Sequence, residues 1–88
     1  MTQRRYLISG RVQGVNFRSA TRQRARELGV QGYARNLPDG RVEVLAGGAP
    51  AAMEQLENFL WQGPSFARVT SVESEETDAL VPLGFTIG

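Results

Sequence analysis

The clearest structural signal in the sequence is Gln31–Ala46, QGYARNLPDGRVEVLA. Pro38 presets its own φ for a turn, and Gly40 supplies the positive φ that a tight reversal needs. On both sides of this turn, polar and apolar residues alternate, as they do in strands with one buried face. The sequence therefore predicts a β-hairpin with strands at Gln31–Leu37 and Arg41–Ala46.

A helix is predicted on each side of the hairpin. In Phe17–Leu28, apolar side chains recur every three to four residues, and a glycine stop signal follows. The second helix begins at Pro50, where a missing N–H costs little, and ends at Gly63. Trp61 and Phe66, near its end, are expected to be part of the core or to cover it. The buried stripe predicted for the second helix comprises Met53, Leu56, Phe59 and Leu60.

Strands are also predicted towards both ends of the chain. The first is Arg5–Ser9, the last main strand is Val69–Thr77, and Gly84–Ile87 is a short addition to the sheet edge. The resulting order, β-α-β-β-α-β, places a hairpin between two helices of similar length. It predicts an α+β fold, a ferredoxin-like split βαβ sandwich with two helices on one face of an antiparallel sheet. Residues 1–88 are expected to form one domain.

The composition excludes several kinds of chemistry. The 88-residue chain contains no cysteine and no histidine, which leaves no disulfide framework, thiol nucleophile, Cys/His zinc site or imidazole base. No metal and no cofactor are expected. No uncharged stretch exceeds ten residues, whereas a membrane helix needs about 18. The first residues lack the apolar region of a secretory signal, so the expected location is the cytoplasm.

Charge is divided unevenly between the two halves of the chain. The net charge of the whole chain is only +1. Residues 1–44 nevertheless contain nine arginines and three acids, a net charge of +6, and residues 45–88 have a net charge of −5. All the cationic side chains are arginines. This asymmetry predicts an anion-binding site in the first half.

The junction between the first strand and the first helix is the best candidate for that site. Backbone N–H groups at a helix start lack intrahelical partners and together carry about half a positive charge. Gly14 allows successive amides to converge on an anion. Arg18 opposes the helix dipole unless an oxyanion lies between the amides and its guanidinium, whose planar fork can hold two phosphate oxygens. From the local pattern alone, phosphate binding and a plain turn with Arg18 in solvent are equally good hypotheses.

Asn36, just before the turn of the hairpin, is the second candidate. Asparagine is depleted in strands, so its position calls for an explanation. Taken alone, the residue favours the simpler explanation, in which its side chain bonds the backbone of the turn. The functional explanation is that its amide holds a water molecule, because an amide donates and accepts hydrogen bonds without titrating.

Two segments resemble the signatures of the acylphosphatase family. Gly10–Arg18 (GRVQGVNFR) is similar to the first signature and Gly32–Val42 (GYARNLPDGRV) to the second. They occur in the family's order and at a family-like separation, and the resemblance extends across nearly the whole chain. It implies a ferredoxin-like fold and metal-independent hydrolysis of acyl phosphates to a carboxylate and inorganic phosphate. It also implies that Arg18 grips the phosphate and that Asn36 positions the attacking water.

The resemblance further implies a backbone cradle for the phosphate, followed by the gripping arginine. This chemistry needs none of the missing side chains. The leaving group is a carboxylate, whose conjugate acid has a pKa of about 4, so it departs without a general acid. Water attacks in line through a loose transition state, in which positioning and electrostatics dominate. The implied phosphate-binding residues are Gln13, Gly14, Val15, Asn16, Phe17 and Arg18.

Two other functions stay open on the sequence alone. A non-catalytic module that binds phosphate or carbamoyl phosphate could use the same loop. RNA binding by the sheet would need stacking aromatic residues on central strands, and Tyr6 and Tyr33 are the only candidates there, so no nucleic-acid partner is expected. The predicted partners are an acyl phosphate and inorganic phosphate, without a membrane, and the protein is expected to be a monomer.

Overall fold

The structure, a computed structural model, describes residues 2–88 of the chain. The predicted order of elements is confirmed, with a short fifth strand added at the sheet edge. The first strand extends beyond its predicted bounds at both ends, because it pairs with a neighbour on each side. The elements are β1 (Thr2–Arg11), α1 (Phe17–Leu28), β2 (Gln31–Asn36), β3 (Val42–Gly48), α2 (Pro50–Gln62), β4 (Arg68–Glu76) and β5 (Phe85–Ile87).

The five strands form one sheet in the order β4-β1-β3-β2-β5. β1 pairs antiparallel with β3 and β4, and β2 pairs antiparallel with β3, as predicted. β5 departs from the expected antiparallel sheet because it pairs parallel with β2. The reason is topological: β4 ends at the end of the sheet where β2 begins. After crossing to the opposite edge, the chain therefore runs in the same direction as β2.

Both helices pack on one face of the sheet, as predicted, and the core lies between these two layers. α1 contacts β2 and β5, α2 contacts β4, β3 and β1, and the helices contact each other. The predicted stripe of α2 faces this core. Trp61 and Phe66, expected to be core or cover, are instead 50% and 80% exposed. Trp61 follows the buried Leu60 directly, and successive helical residues point about 100° apart.

The face of the sheet without helices contains a buried carboxylate, that of Glu43 on β3. Only 1% of Glu43 is exposed. The Nε of Arg5 donates to it at 2.6 Å, the Nε of Arg35 donates to its other oxygen, and the hydroxyl of Tyr33 donates at 3.2 Å. Burial by itself raises the pKa of Glu43, but the hydrogen bonds and charges of the two arginines outweigh it and hold the pKa below its usual value. The network therefore ties β1, β2 and β3 together.

Gly32 on β2 is a position where the sheet has no room for a side chain. Its φ is +141°, and a Cβ at this position would overlap the carbonyl oxygen of Leu45 on β3. We expect Gly32→Ala to lower the free energy of unfolding by more than about 3 kcal/mol in urea denaturation, because both backbone strain and a clash oppose it.

Gly40 in the hairpin turn offers the matched control for this substitution. Its φ is also positive, +97°, but a Cβ there would meet nothing within 4 Å. Gly40→Ala should therefore cost only about 1 kcal/mol, the cost of the backbone conformation. Equal losses in the two variants would show that the contact between β2 and Leu45 is not the cause.

Candidate active site

The predicted site residues meet at one end of the sheet. β1 and β2 both run antiparallel to β3, so they run in the same direction, and their last residues, Arg11 and Asn36, lie at the same end. β5 also ends there, with Ile87, and β4 begins there with Arg68, opposite Arg11. The chain leaves this end of the sheet for α1 through residues 13–17 (QGVNF), which we call the cradle loop.

The cradle loop passes through two residues in the left-handed region. Gly14 has a φ of +76°, and Asn16 has a φ of +67° and a ψ of 24°. Asparagine is one of the few residues besides glycine that adopt this conformation readily. The carbonyl of Asn16 accepts the N–H of Ala20 at 3.1 Å, but its side chain does not cap α1. The N–H groups of the first helical turn are thus left for another acceptor, such as an anion.

A small hollow opens between the cradle loop, the first turn of α1 and the ends of β2 and β5. Its volume is about 100 Å³, well below the roughly 300–1,000 Å³ of pockets for larger ligands. Of the described residues that line it, Arg18 is the only charged one, so the helix dipole and the guanidinium both favour an anion there. The lining residues are Val12, Gly14, Asn16, Phe17, Arg18, Ser19, Asn36 and Ile87.

Arg18 is oriented by the C-terminal strand. Its Nη1 donates a hydrogen bond to a main-chain oxygen of Gly88. The N–H of Gly88 in turn donates to the carbonyl of Ala34 on β2 at 3.0 Å. A guanidinium has five N–H donors, so the bond to Gly88 leaves donors for an anion in the hollow. Nothing in the sequence places Ile87 or Gly88 at the site, because their position depends on which strand β5 pairs with.

Asn36, at the exposed end of β2, borders the same hollow. The simpler explanation of Asn36 is that its side chain bonds the backbone of the turn. Other hydrogen bonds close the turn. The N–H of Gly40 donates to the carbonyl of Leu37 at 3.1 Å, and Asp39 accepts the N–H of Arg41 at 3.1 Å. The amide of Asn36 is therefore not needed to hold the turn.

The side chain of Gln13 joins the cradle loop to the hairpin instead of lining the hollow. Its Nε2 donates to the carbonyl oxygens of Leu37 at 2.8 Å and of Arg41 at 2.9 Å. Leu37 directly follows Asn36, so Gln13 holds the end of β2 against the cradle loop. The family resemblance predicted Gln13 as a phosphate-binding residue. The contact with the hairpin was missed, since nothing in the local pattern pairs the loop with the hairpin turn.

Val15 is the other predicted phosphate-binding residue whose side chain does not line the hollow. It is partly buried and packs against the core. Gln13 and Val15 can thus contribute to anion binding only through their backbone N–H groups, which is the kind of contact predicted for the cradle. The remaining predicted residues of the loop, together with Arg18 and Asn36, all border the hollow.

Neither helix in residues 2–88 is long and apolar enough to cross a membrane. Within the same residues, no three potential metal ligands from His, Cys, Asp and Glu lie together. The acidic side chains of β4 lie along an exposed edge strand, where Glu75 is 3.6 Å from Arg5 and Glu76 is 3.9 Å from Arg4.

The fold and the hollow define a class of protein: a ferredoxin-like domain with an anion-suited hollow where its first strand meets its first helix. The model of the acylphosphatase family matches residues 4–87. The acylphosphatase of Halorhodospira halophila is 57% identical over 84 residues, which cover 96% of this chain and 91% of that protein. The acylphosphatase of Chromohalobacter salexigens is 54% identical over 81 residues, which cover 92% and 90%.

The architecture agrees with these sequence matches. The structure of an acylphosphatase from Coxiella burnetii superposes with a TM-score of 0.93 at 37% identity, covering 99% of this chain and 92% of that one. The chain therefore belongs to the acylphosphatase family. This finding confirms the family and the fold that the two sequence segments predicted.

Proposed function

We propose that the protein hydrolyses acyl phosphates to a carboxylate and inorganic phosphate in the hollow beside the cradle loop. The observation that carries this proposal is that the cradle loop, Arg18 and Asn36 border one hollow of about 100 Å³. Membership of the acylphosphatase family supports it. As part of the same proposal, residues 1–88 act as one domain, a monomer in the cytoplasm, without a cofactor or a nucleic-acid partner.

In this proposal, the phosphoryl group is held by backbone N–H groups and by Arg18. The N–H groups of the cradle loop and of the first turn of α1 face an acceptor site at the positive end of the helix dipole. Arg18 supplies a second positive charge from the opposite side, and its fork can contact two oxygens at once. The backbone N–H groups and Arg18 then bind the substrate and also stabilise the transition state, since the negative charge stays on the equatorial oxygens of the transferred phosphoryl group.

The attacking water is assigned to Asn36. Its amide oxygen accepts a hydrogen bond from the water and keeps a lone pair of the water directed at phosphorus. The new bond joins the water oxygen to phosphorus, and the bond from phosphorus to the acyl oxygen breaks with its electron pair on the carboxylate. A phosphoryl oxygen takes the proton of the water. No general acid is needed because the carboxylate is a weak base, with a conjugate-acid pKa of about 4.

The test is a spectrophotometric assay of the purified chain with benzoyl phosphate in excess EDTA. We expect steady turnover without added metal and competitive inhibition by inorganic phosphate. Phenyl phosphate is the matched control, because its leaving group has a conjugate-acid pKa of about 10 and needs a general acid that the hollow lacks. Phosphate binding without turnover of benzoyl phosphate would contradict the proposal and favour a non-catalytic binding module.

A further inference from the structure

A tight turn after α2 lies directly beside the cradle loop. The N–H of Ala67 donates to the carbonyl of Pro64 at 3.0 Å, which closes the turn. A Cβ on Gly63 would lie 2.9 Å from the ring of Phe17, the last residue of the cradle loop. One residue after the turn, Arg68 begins β4 opposite Arg11. This part of the chain therefore contacts the last residue of the cradle loop through Gly63, and through Arg68 it pairs with the end of β1 that leads into the loop.

The turn and Asn36 lie on opposite sides of the cradle loop. β4, which the turn precedes, is at one edge of the sheet, and β2, which ends with Asn36, is towards the other edge. The cradle loop leaves β1, between β4 and β3, and continues into α1, which packs over β2 and β5. A phosphoryl group on the cradle loop would thus have Asn36 on one side and the turn on the other.

In-line displacement gives these two sides different roles. The attacking water and the leaving oxygen lie on opposite sides of phosphorus. If Asn36 positions the water, the acyl group extends towards the turn at residues 63–67. In this arrangement the acyl group extends out of the hollow, which measures only about 100 Å³.

Phe66 is the exposed aromatic residue of this turn. Its neighbour Ala67 packs against the core, whereas Phe66 is 80% exposed. Aromatic rings pair favourably in stacked or edge-to-face arrangements. A contact with Phe66 would therefore stabilise a bound aromatic acyl group more than a small one.

We propose that Phe66 contacts the acyl group of the substrate and makes the enzyme favour aromatic acyl phosphates over small ones. This inference rests on the proposed function, because it places the phosphoryl group on the cradle loop and the water at Asn36. Phe66 is a specificity-determining residue in this scheme. It takes no part in phosphate binding or in activation of the water.

The experiment compares Phe66→Ala with the unmodified chain on benzoyl phosphate and acetyl phosphate. We expect kcat/KM for benzoyl phosphate to fall roughly threefold to tenfold, and kcat/KM for acetyl phosphate to change less than about twofold. The inhibition constant of inorganic phosphate should stay unchanged. Leu80→Ala is the matched control: Leu80 is also highly exposed, at 95%, but follows β4 at the far end of the sheet. It should change neither rate.

The outcomes separate this inference from the proposed function. An active Phe66→Ala variant whose preference between the two substrates is unchanged would overturn the role of Phe66 alone. Equal losses on both substrates would overturn it as well, since a lost acyl contact cannot weaken acetyl phosphate to the same extent. Failure of the unmodified chain to hydrolyse either substrate would overturn the proposed function itself.

Discussion

Replacing Arg18 with alanine should lower kcat/KM for benzoyl phosphate by at least about a thousandfold, the scale of a phosphoryl-gripping arginine. Arg18 is the only charged residue among the described residues that line the hollow. Without it, the transferred group keeps the backbone N–H groups but loses the cation that faces them. Inhibition by inorganic phosphate should be lost over the same concentration range, because substrate and product share these contacts. Steady-state kinetics with phosphate as inhibitor measure both effects.

Two further variants test whether the loss belongs to the guanidinium of Arg18. Arg22→Ala removes the same charge one turn further along α1 and should stay within about twofold of the unmodified chain, since Arg22 is not among the described residues that line the hollow. Arg18→Lys keeps a positive charge without the planar fork and should recover only part of the activity. Urea denaturation of Arg18→Ala shows whether the lost bond to Gly88 also costs stability. Near-normal turnover in a folded Arg18→Ala variant would contradict the assignment.

Replacing Asn36 with alanine should lower kcat by about a hundredfold to a thousandfold, the range found when one transition-state hydrogen-bonding group is removed. The inhibition constant of inorganic phosphate should change less than about threefold, because the assigned partner of Asn36 is the attacking water. This contrast distinguishes Asn36 from Arg18, whose loss should affect both quantities. Initial rates at saturating substrate, with phosphate titrations at each substrate concentration, measure the split.

Two neighbours of Asn36 serve as comparisons. Asp39→Asn changes a carboxylate that accepts from Arg41 in the same turn and should leave kcat within about twofold. Gln13→Ala removes both bonds between the cradle loop and the hairpin and should reproduce the kcat defect of Asn36→Ala in milder form. Equal losses in kcat and in phosphate binding for Asn36→Ala would mean that the residue is structural or binds phosphate directly.

Much of the fold could be predicted from local spacing. The turn around Pro38 and Gly40, the stripe of α2 and the stop signals after both helices depend on residues close together in sequence, and each was found where expected. The parallel pairing of β5 could not be predicted in this way, because a short strand can join either edge of a sheet. The exposure of Phe66 was missed for a similar reason: apolar character does not show which way a turn points.

In the candidate site, too, features with a local sequence signal could be predicted and contacts between distant segments could not. Gly14 and Arg18 could be identified from the sequence. A glycine before a helix allows backbone N–H groups to converge on an anion, and a cation in the first turn is unfavourable unless an anion is bound there. The contact of Gln13 with the hairpin and that of Arg18 with Gly88 had no such signal. Both join segments that are distant along the chain.

The amino-acid sequence by itself determined the elements, their order, the family and the residues for which anion chemistry could be argued. Turns, helix ends and hydrophobic periodicity are short-range properties, and so is the positive end of a helix. The tertiary structure brings Asn36 to the same hollow as Arg18, adds Ile87 of β5 to its lining and leaves Phe66 exposed. These features depend on the order in which strands assemble into a sheet, and that order is set by the packing of the whole chain.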